Sequence, residues 1–313
     1  MAVNLKGRSL LTLKDWTPEE VRHVLDLSHR VKRERRSGKV TRRFQGKTLA
    51  LLFEKRSTRT RCAFETAFGE EGGHPVFLST ADIHLGSKEA LEDTARVLGR
   101  MFDAIQFRGF AQSTVETLAR WSGVPVYNGL TDDWHPTQVL ADLMTMEEAF
   151  GSLAGRRLAF VGDGRNNVAN TLLIGCSQMG VHVSIVAPPA LHPAAETVGW
   201  AAEMGAKTGA RVLVTGDVAE GIRGADAVYT DVWVSMGEEE KSAERIALLS
   251  PYQVTSRMME MTGTKNAIFL HCLPAVKGRE VTAEVIEGVR SRVWDEAENR
   301  KHTIKAILLA TLP

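Results

Sequence analysis

The sequence predicts an α/β protein made of two doubly wound domains of similar size, each built on a parallel sheet. Apolar segments of strand length alternate with helical segments through both halves of the 313-residue chain. This alternation is typical of parallel sheets that carry helices on both faces. Gly151 and Gly155 interrupt it near the middle. We therefore predict domains at residues 1–150 and 151–297, with the active site in the cleft between them.

The first half begins with a clear helix start. Thr17 is a capping residue, Pro18 suits the first helical position, and acidic residues follow in the first turn. An apolar run at 48–53 predicts a buried strand. The other elements predicted in this half are strands at 103–107 and 124–127 and helices beginning after residue 57 and at about 88–100, 113–122 and 137–150.

The second half repeats this rhythm of strands and helices. Strands are predicted at 158–161, 183–186, 212–215, 227–230 and 268–270, with helical segments between most of them. A final helix is predicted at 303–312, and the C-terminal helix, from about 298 to 313, is expected to pack back on the first domain. In open parallel sheets ligands bind at the carboxyl ends of the strands. Polar clusters just after strands are therefore the places to look for function.

Composition argues against several classes of protein. Hydrophobic residues make up 43% and charged residues 25%, and the formal net charge of +1 gives no reason to expect nucleic acid or a membrane as partner. The three cysteines are too few, and odd in number, for a disulfide framework. No apolar stretch approaches the roughly 20 residues that cross a bilayer. Residues 1–16 show no signal or transit pattern, so we expect a cytoplasmic protein.

The strand at 48–53 is followed by a cluster of hydroxyls and guanidiniums at 54–61. A helix N-terminus there offers free N–H groups and partial positive charge, which suit a phosphate. Ser57, Thr58 and Thr60 can donate hydrogen bonds, and Arg59 can form a forked pair with phosphate oxygens. The plainer alternative is a solvated basic helix start with Ser57 as an ordinary cap.

Two further strand ends of the first half are polar in the same way. Arg108 follows the strand at 103–107, and His135 precedes Pro136, which is well placed to begin a helix. Gln138 in that first helical turn then faces the same crevice as His135. An arginine before glycine is usually a surface turn, and a single histidine is more often structural. The functional interpretation depends on three polar strand ends converging in one half.

In the second half the strand at 158–161 runs into the segment 162–167. A dinucleotide-binding fingerprint would require glycine where Asn167 stands, and the next strand ends in Ala187 and Pro188 without an acid for a ribose. Nucleotide binding, and with it a dehydrogenase, is therefore disfavoured. The side-chain amide of Asn167 at a helix start would instead suit a carboxylate.

Two more clusters follow strands of the second half. Asp231 at a strand end can pair with an amino group, and the following turn at 235–237 can present backbone groups to a carboxylate. An ordinary strand end with a cap explains the same residues. Cys272, in the segment 271–274 after the last strand, could equally be a small packed hydrophobe.

Together these clusters resemble the sites of the aspartate and ornithine carbamoyltransferases, and the resemblance extends from residue 53 to residues 298–300. No single motif is specific, whereas the set is. The resemblance implies that a phosphate is held by 57–60, that Arg108 bridges phosphate and carbonyl oxygen, and that Gln138 binds the carbamoyl amide. The residues implied to bind carbamoyl phosphate are Ser57, Thr58, Arg59, Thr60, His84, Arg108, His135, Gln138, Cys272, Leu273 and Arg300.

The resemblance is to the ornithine-specific members of the family. It implies that Asp231 binds the α-amino group of L-ornithine, and that Asn167, Ser235 and Met236 hold its amino-acid end. Cys272 would contact the reacting δ-amino nitrogen. The implied catalytic residues are Arg108, His135 and Cys272.

The implied reaction transfers the carbamoyl group of carbamoyl phosphate to the δ-amino group, giving citrulline and phosphate, with no metal and no organic cofactor. The resemblance also implies a homotrimer, or a larger assembly, in which His84 enters a neighbouring subunit's site. Alternatives are a carbamoyltransferase for putrescine or acetylornithine, and a non-catalytic binding paralogue. Asp231 with 235–237 argues against the first, and the intact set of site residues against the second.

Overall fold

The protein is described by a computed structural model that covers residues 3–79, 89–234 and 242–313. The chain divides into two compact units: Met1–Met144 together with Glu298–Pro313, and Thr145–Ala297. Within the described residues, no helix combines the length and the apolar character needed to cross a membrane. Each unit contains one sheet in which all strands are parallel. The predicted two-domain α/β fold with parallel sheets is confirmed.

The first unit is built on a four-stranded sheet with the order β2-β1-β3-β4. Its strands are β1 (Thr48–Phe53), β2 (His74–Ser79), β3 (Ala104–Arg108) and β4 (Val126–Leu130). Its helices are α1 (Pro18–Arg36), α2 (Thr58–Gly69), α3 (Leu91–Met101), α4 (Gln112–Ser122), most of α5 (Pro136–Phe150) and the later part of α12 (Val293–Thr311).

The start of α1 has the capping residue that the sequence predicts, and Thr17 and Glu20 form a capping box there. The Thr17 hydroxyl accepts a hydrogen bond from the Glu20 amide, and the Glu20 carboxylate accepts one from the Thr17 amide. In the sheet, alternate residues of β1 and β3 point to the same face. Ala50, Leu52 and Phe107 pack with α3 and α4 residues in one apolar cluster. The opposite face of β3 therefore carries Arg108.

The second unit has a five-stranded sheet with the order β7-β6-β5-β8-β9. Its strands are β5 (Arg157–Val161), β6 (His182–Val186), β7 (Val212–Thr215), β8 (Ala227–Tyr229) and β9 (Ile268–Leu270). The remaining helices are α6 (Asn167–Gln178), α7 (Ala195–Thr208), α8 (Val218–Ile222), α9 (Ser242–Leu249), α10 (Ser256–Met261) and α11 (Ala283–Ile286). Strands β1, β7 and β9 begin and end where the sequence predicts.

Both sheets have a point where the strand order reverses. In the first unit the chain leaves β1 toward β2 and returns on the other side as β3. In the second it leaves β5 toward β6 and β7 and returns on the other side as β8. Such switch points open a crevice at the carboxyl ends of the two flanking strands. The predicted clusters at 54–61, 108, 162–167 and 231 follow these flanking strands, whereas those at His135 and Cys272 follow the next strands outward, β4 and β9.

Strand β2 was not predicted. It lies at the edge of its sheet, and its residues are only partly buried apart from His74, which is exposed. Pro75 cannot donate to a ladder of backbone hydrogen bonds, which normally argues against a strand. An edge strand needs partners on one side only. The proline is therefore tolerated here. Because the strand is only partly buried, it lacks the apolar run that predicted the other strands.

Strand β4 lies later in the chain than the predicted 124–127. Asn128-Gly129 is a pair that favours turns, but the strand continues through it with an irregularity, so that Arg108 pairs with Leu130. Asn128 donates from its side chain to the Leu11 carbonyl at 2.9 Å. The N-terminal segment thus provides partners for groups that a turn would have exposed.

Helix α12 begins at Val293, ten residues before the predicted start at 303 and five before the start of about 298 expected for the C-terminal helix. The charged segment 295–301 has no apolar stripe that would predict a helix start within or before it. Glu296, Asn299 and Arg300 are nevertheless buried, and each has a hydrogen-bond partner. Polar residues that find partners inside a protein do not interrupt a helix, and the sequence alone does not show those partners.

Candidate active site

The crevice of the first unit begins at the N-terminus of α2. Ser57 caps this helix, and its hydroxyl accepts a hydrogen bond from the Thr60 amide at 3.2 Å. Thr58 is exposed, Arg59 is half-buried and Thr60 is 1% exposed. The capping interpretation of Ser57 is therefore correct. It does not exclude a phosphate site, because other N–H groups of the first turn remain directed out of the helix.

Thr60 is the point at which two buried arginines meet. Arg108 donates from Nη1 to the Thr60 hydroxyl oxygen at 3.3 Å, and Arg300 donates from Nη2 to the same oxygen at 3.2 Å. A hydroxyl has two acceptor positions and one proton. With both acceptor positions used, the proton of Thr60 is directed away from the arginines and can be donated to a ligand oxygen.

Arg300 also fixes the side chain of Gln138. Its Nη1 donates to the Gln138 amide oxygen at 2.7 Å, and its Nη2 lies 3.3 Å from the Thr137 hydroxyl. The Gln138 amide nitrogen donates to Asp142 at 2.8 Å. Both ends of the Gln138 amide therefore have assigned partners, which sets its orientation. Sequence reasoning identified Arg300 and Gln138 but did not predict the contact between them.

His135 is buried beside the same arginines. Burial lowers the pKa of its imidazole well below the ordinary value, and the charges of Arg300, Arg108 and Arg59 lower it further. The ring is therefore neutral at physiological pH. A neutral imidazole can donate one hydrogen bond to a carbonyl oxygen without adding positive charge to the site. The sequence singles out His135, and the structure shows the burial and the neighbouring arginines that lower its pKa.

Glu54 holds the turn that follows Arg108, and sequence reasoning did not assign it a role. Its backbone amide donates to the Arg108 carbonyl at 2.8 Å, and its carboxylate accepts from the Phe110 amide at 3.1 Å. A Cβ at Gly109 would lie 2.1 Å from that carboxylate and 2.3 Å from the Phe107 ring. A glycine directly after Arg108 was the available sign that another group approaches the turn closely.

In the second unit, Asp231 follows β8 and is held from several sides. Its Oδ1 accepts from the Val232 amide at 2.8 Å and from the Cys272 thiol at 3.0 Å, and its Oδ2 accepts from the Asn166 amide at 2.8 Å. Asn166 also caps α6 by accepting from the Val168 amide. The structure thus brings Asp231 and Cys272 into direct contact, which the sequence did not predict. It adds Asn166, whereas the sequence favoured its neighbour Asn167, which is half-buried at the start of α6.

The loop after β9 has an unusual backbone. Leu273 has a φ of 57°, in the left-handed region that branched residues rarely adopt, and its bond to Pro274 is cis. The Leu273 amide donates to Nδ1 of His271 at 2.8 Å, and the His271 amide donates to Glu296 at 2.9 Å. These bonds hold the backbone around Cys272 in one conformation.

Three residues of the predicted site lie outside the described part of the chain. They are His84, Ser235 and Met236. Their roles stay predictions.

Asp231, His271 and Cys272 could together offer ligands to a metal ion, because their ligand atoms lie within 4.8 Å of one another. Carboxylate, imidazole and thiolate are a donor set that suits zinc. However, Nδ1 of His271 accepts from Leu273, and Nε2 lies 3.4 Å from Glu280. A metal bound through His271 would have to displace one of these contacts.

Two titratable groups near the C-terminal end of α2 and on α12 have lowered pKa values. Lys305 of α12 pairs there with Glu70 and Glu71. Burial by itself would raise the pKa of Glu71, but hydrogen bonds from Arg43 and Thr41 and the charges of Lys305 and Arg43 lower it to about 2. Burial lowers the pKa of His302 on α12 to about 4, against a partial opposing effect of its contact with Glu298. Both groups bind protons less readily in the folded protein than in the unfolded chain.

We expect acid to destabilise the fold in two steps. Between pH about 6.5 and 4 the unfolded chain protonates His302 while the folded protein does not, so stability falls, by on the order of 3 kcal/mol. Between pH about 4.5 and 2 the unfolded chain protonates Glu71 while the folded protein does not, so the stability of the fold falls again. Thermal unfolding midpoints measured across this range test the prediction. His302→Gln should flatten the first step, whereas exposed His74→Gln should not; an unchanged first step in His302→Gln would contradict it.

These features define the class of protein: a two-unit parallel α/β protein with a cluster of buried arginines after the strands of one sheet and an anchored carboxylate in the other. Models of two domain families match the chain. Residues 8–148 match "Aspartate/ornithine carbamoyltransferase, carbamoyl-P binding domain", and residues 154–311 match "Aspartate/ornithine carbamoyltransferase, Asp/Orn binding domain". The chain therefore belongs to the aspartate/ornithine carbamoyltransferase family.

Individual relatives agree with this assignment. The chain is 68% identical over 312 residues to an ornithine carbamoyltransferase of Caldanaerobacter subterraneus subsp. tengcongensis, with 100% of each chain covered. It is 64% identical to one of Thermotoga maritima, also with 100% of each covered. Among solved structures, the ornithine carbamoyltransferase of Pyrococcus furiosus is similar with a TM-score of 0.96 at 42% identity, over 99% of each chain.

Proposed function

We propose that this chain is a carbamoyltransferase that transfers the carbamoyl group of carbamoyl phosphate to the δ-amino group of L-ornithine, giving L-citrulline and phosphate. Carbamoyl phosphate is proposed as the donor because the buried side chains of Arg108 and Arg300 both donate hydrogen bonds to the Thr60 hydroxyl oxygen. Ornithine is proposed as the acceptor because full-length relatives, 64% and 68% identical, are ornithine carbamoyltransferases.

Carbamoyl phosphate would bind with its phosphate at the start of α2. The hydroxyls of Ser57, Thr58 and Thr60 and the guanidinium of Arg59 are the groups we assign to the phosphate oxygens. A helix N-terminus stabilises a dianion through its free N–H groups and its dipole. The carbamoyl amide would lie against Gln138, whose orientation Arg300 sets at 2.7 Å.

The chemical step requires stabilisation of the carbonyl oxygen. The neutral δ-amino group attacks the carbonyl carbon, forming a C–N bond while negative charge develops on the carbonyl oxygen. The C–O bond to phosphate then breaks, and the attacking nitrogen gives up its extra proton to the departing phosphate. Arg108, Thr60 and neutral His135 are the donors we assign to the carbonyl oxygen. Preorganised donors of this kind contribute about 3–4 kcal/mol each to transition-state stabilisation. An amine is nucleophilic enough to react directly, so no covalent enzyme intermediate is needed.

Ornithine would be held by its amino-acid end. We assign its α-amino group to the Asp231 carboxylate, which is fixed by Asn166 and by the Val232 amide, and its carboxylate to Asn167 with Ser235 and Met236. The δ-amino end would then lie near Cys272. Putrescine has no α-amino-acid head and acetylornithine has its α-amino group acylated, so neither would pair with Asp231.

We further propose a cytoplasmic homotrimer, or a larger assembly of trimers, in which His84 of one subunit enters the carbamoyl phosphate site of the next. The support for this is the family to which the chain belongs.

The deciding experiment is an assay of carbamoyl transfer with several amines. L-Ornithine, putrescine, acetylornithine and aspartate are supplied in parallel with carbamoyl phosphate, after exhaustive treatment with a chelator. We expect citrulline formation with ornithine at a kcat/KM at least about 10³-fold above that of the other amines, with no metal added. Preference for another amine would contradict the Asp231 assignment. Activity that returned only with zinc or magnesium would contradict the metal-free mechanism.

A further inference from the structure

A buried lysine on α1 contacts the helix that carries Arg300. Lys32 is 3% exposed, and its Nζ donates to the side-chain oxygen of Asn299 at 2.7 Å. Asn299 is fully buried and directly precedes Arg300 on α12. The contact joins residues separated by 267 positions in the chain. It therefore depends on how α12 lies against α1.

A second contact between the same helices provides a comparison. Arg36, one turn after Lys32 on α1, lies 3.5 Å from Glu298 on α12, and the two side chains are 63% and 41% exposed. Exposed ion pairs of this kind contribute little because water screens the charges and the long side chains lose freedom. Of these two links between α1 and the Asn299 turn, only the one made by Lys32 is buried.

An ammonium group in this position has an energetic cost that an apolar side chain would avoid. Removing a charge from water is unfavourable unless it gains close polar partners, and apolar replacements of buried ion pairs are often at least as stable. The Asn299 oxygen is one such partner, and Lys32 also interacts with the Glu298 charge, where it helps to lower the pKa of that carboxyl. Stability alone therefore does not account for the lysine.

We infer that Lys32 is a positioning residue for Arg300. By fixing Asn299 it sets the rotation of this turn of α12, and that rotation aims the Arg300 guanidinium at Thr60 and Gln138. The inference deepens the proposed function, because it rests on Arg300 serving the carbamoyl phosphate site.

Contacts on the other side of Arg300 fix a different degree of freedom. Lys301 lies 3.2 Å and Lys305 lies 2.8 Å from Glu70 at the C-terminal end of α2. Thr60 lies near the N-terminal end of that helix. These pairs therefore hold α12 along the axis of α2, while Lys32 restrains its rotation. Together they define where the Arg300 guanidinium lies.

The test compares two substitutions on the same helix. Lys32→Met keeps the apolar stem of the side chain and removes the ammonium group, and Arg36→Met removes the exposed charge one turn later. We expect Lys32→Met to raise the Kd of carbamoyl phosphate about tenfold, measured by calorimetry, and to leave the KM of ornithine within about twofold. Arg36→Met should change both by less than about twofold.

A double-mutant cycle separates positioning from a general structural effect. If Lys32 acts through Arg300, then Lys32→Met should have almost no further effect on the Kd in an Arg300→Gln background. A tenfold loss in that background as well would overturn the inference. An unchanged Kd in the Lys32→Met single variant would overturn it too.

Substitutions at Asn299 keep the inference testable should Lys32→Met fail to fold. Asn299→Asp retains an acceptor for the ammonium group and should bind carbamoyl phosphate within about twofold of the wild type. Asn299→Leu removes the acceptor and should weaken binding about tenfold; equal binding by these two variants would overturn the inference. Wild-type protein that neither bound carbamoyl phosphate nor formed citrulline would instead overturn the proposed function.

Discussion

Replacing Arg108 with methionine should lower kcat/KM for carbamoyl phosphate by about 10²–10³-fold, the loss observed when one donor to a developing oxyanion is removed. Arg108 is 6% exposed and donates to the buried Thr60 hydroxyl at 3.3 Å. The substitution removes a donor proposed to bridge the carbonyl and phosphate oxygens. It also leaves the Thr60 oxygen with one guanidinium partner instead of two. Steady-state kinetics with saturating ornithine measure the effect.

The matched control for Arg108 is Arg61→Met. Arg61 lies one turn into α2, is largely exposed and pairs with Glu65. Its loss removes the same charge from the same unit without removing a group assigned to the substrate. We expect less than a threefold change. Equal losses in the two variants would mean that general positive potential, rather than the contact made by Arg108, accounts for activity.

Replacing Asp231 with asparagine should lower kcat/KM for ornithine by about 10²–10³-fold, because truncating one partner of a buried charge pair costs about 2–5 kcal/mol. The Kd of carbamoyl phosphate should stay within about twofold. The amide nitrogen of an asparagine at 231 would also face the Asn166 amide, which now donates to the carboxylate at 2.8 Å. One of the two amides would have to turn over. Binding and kinetics measured separately distinguish the two substrates.

Asp226→Asn is the control at the opposite end of the same strand. Asp226 precedes β8, where its carboxylate accepts from the Arg157 amide and pairs with Arg156. Both substitutions remove one carboxylate charge at an end of β8. We expect Asp226→Asn to lower the unfolding midpoint but to leave the KM of ornithine within about twofold. If Asp231→Asn changed only stability, the carboxylate would be structural.

The fold class could be predicted from the sequence because strands and helices alternate along the chain, and this alternation by itself favours parallel sheets covered by helices. Apolar strands such as β1 and β7 have hydrophobic runs whose ends coincide with the structural ends. The elements that were missed or shifted depend on distant partners. β2 is stabilised by pairing with β1 from one side, and the start of α12 by partners of Glu296 and Asn299 far along the chain.

The candidate site was predictable to the extent that its residues follow strands. Thr60, Arg108 and Gln138 follow strands and belong to one hydrogen-bonded cluster, and Arg300 joins it from α12. Two residues that hold other parts of the site in place were not predicted. Glu54 and Asn166 contact a backbone turn and a carboxylate, respectively. Such roles leave no periodic pattern in the sequence, because they depend on which side chain lies opposite.

The double acceptor role of Thr60 has a consequence for the thermodynamics of ligand capture. Hydrogen bonds already restrict the rotation of the Thr60 hydroxyl, the two guanidinium groups and the Gln138 amide before any ligand binds. Freezing a long side chain on association costs about 0.5–1.5 kcal/mol. Here that loss of rotational entropy occurs during folding. A dianion entering the crevice therefore meets a rigid template, and its affinity reflects electrostatic attraction with little reorganisation of the protein.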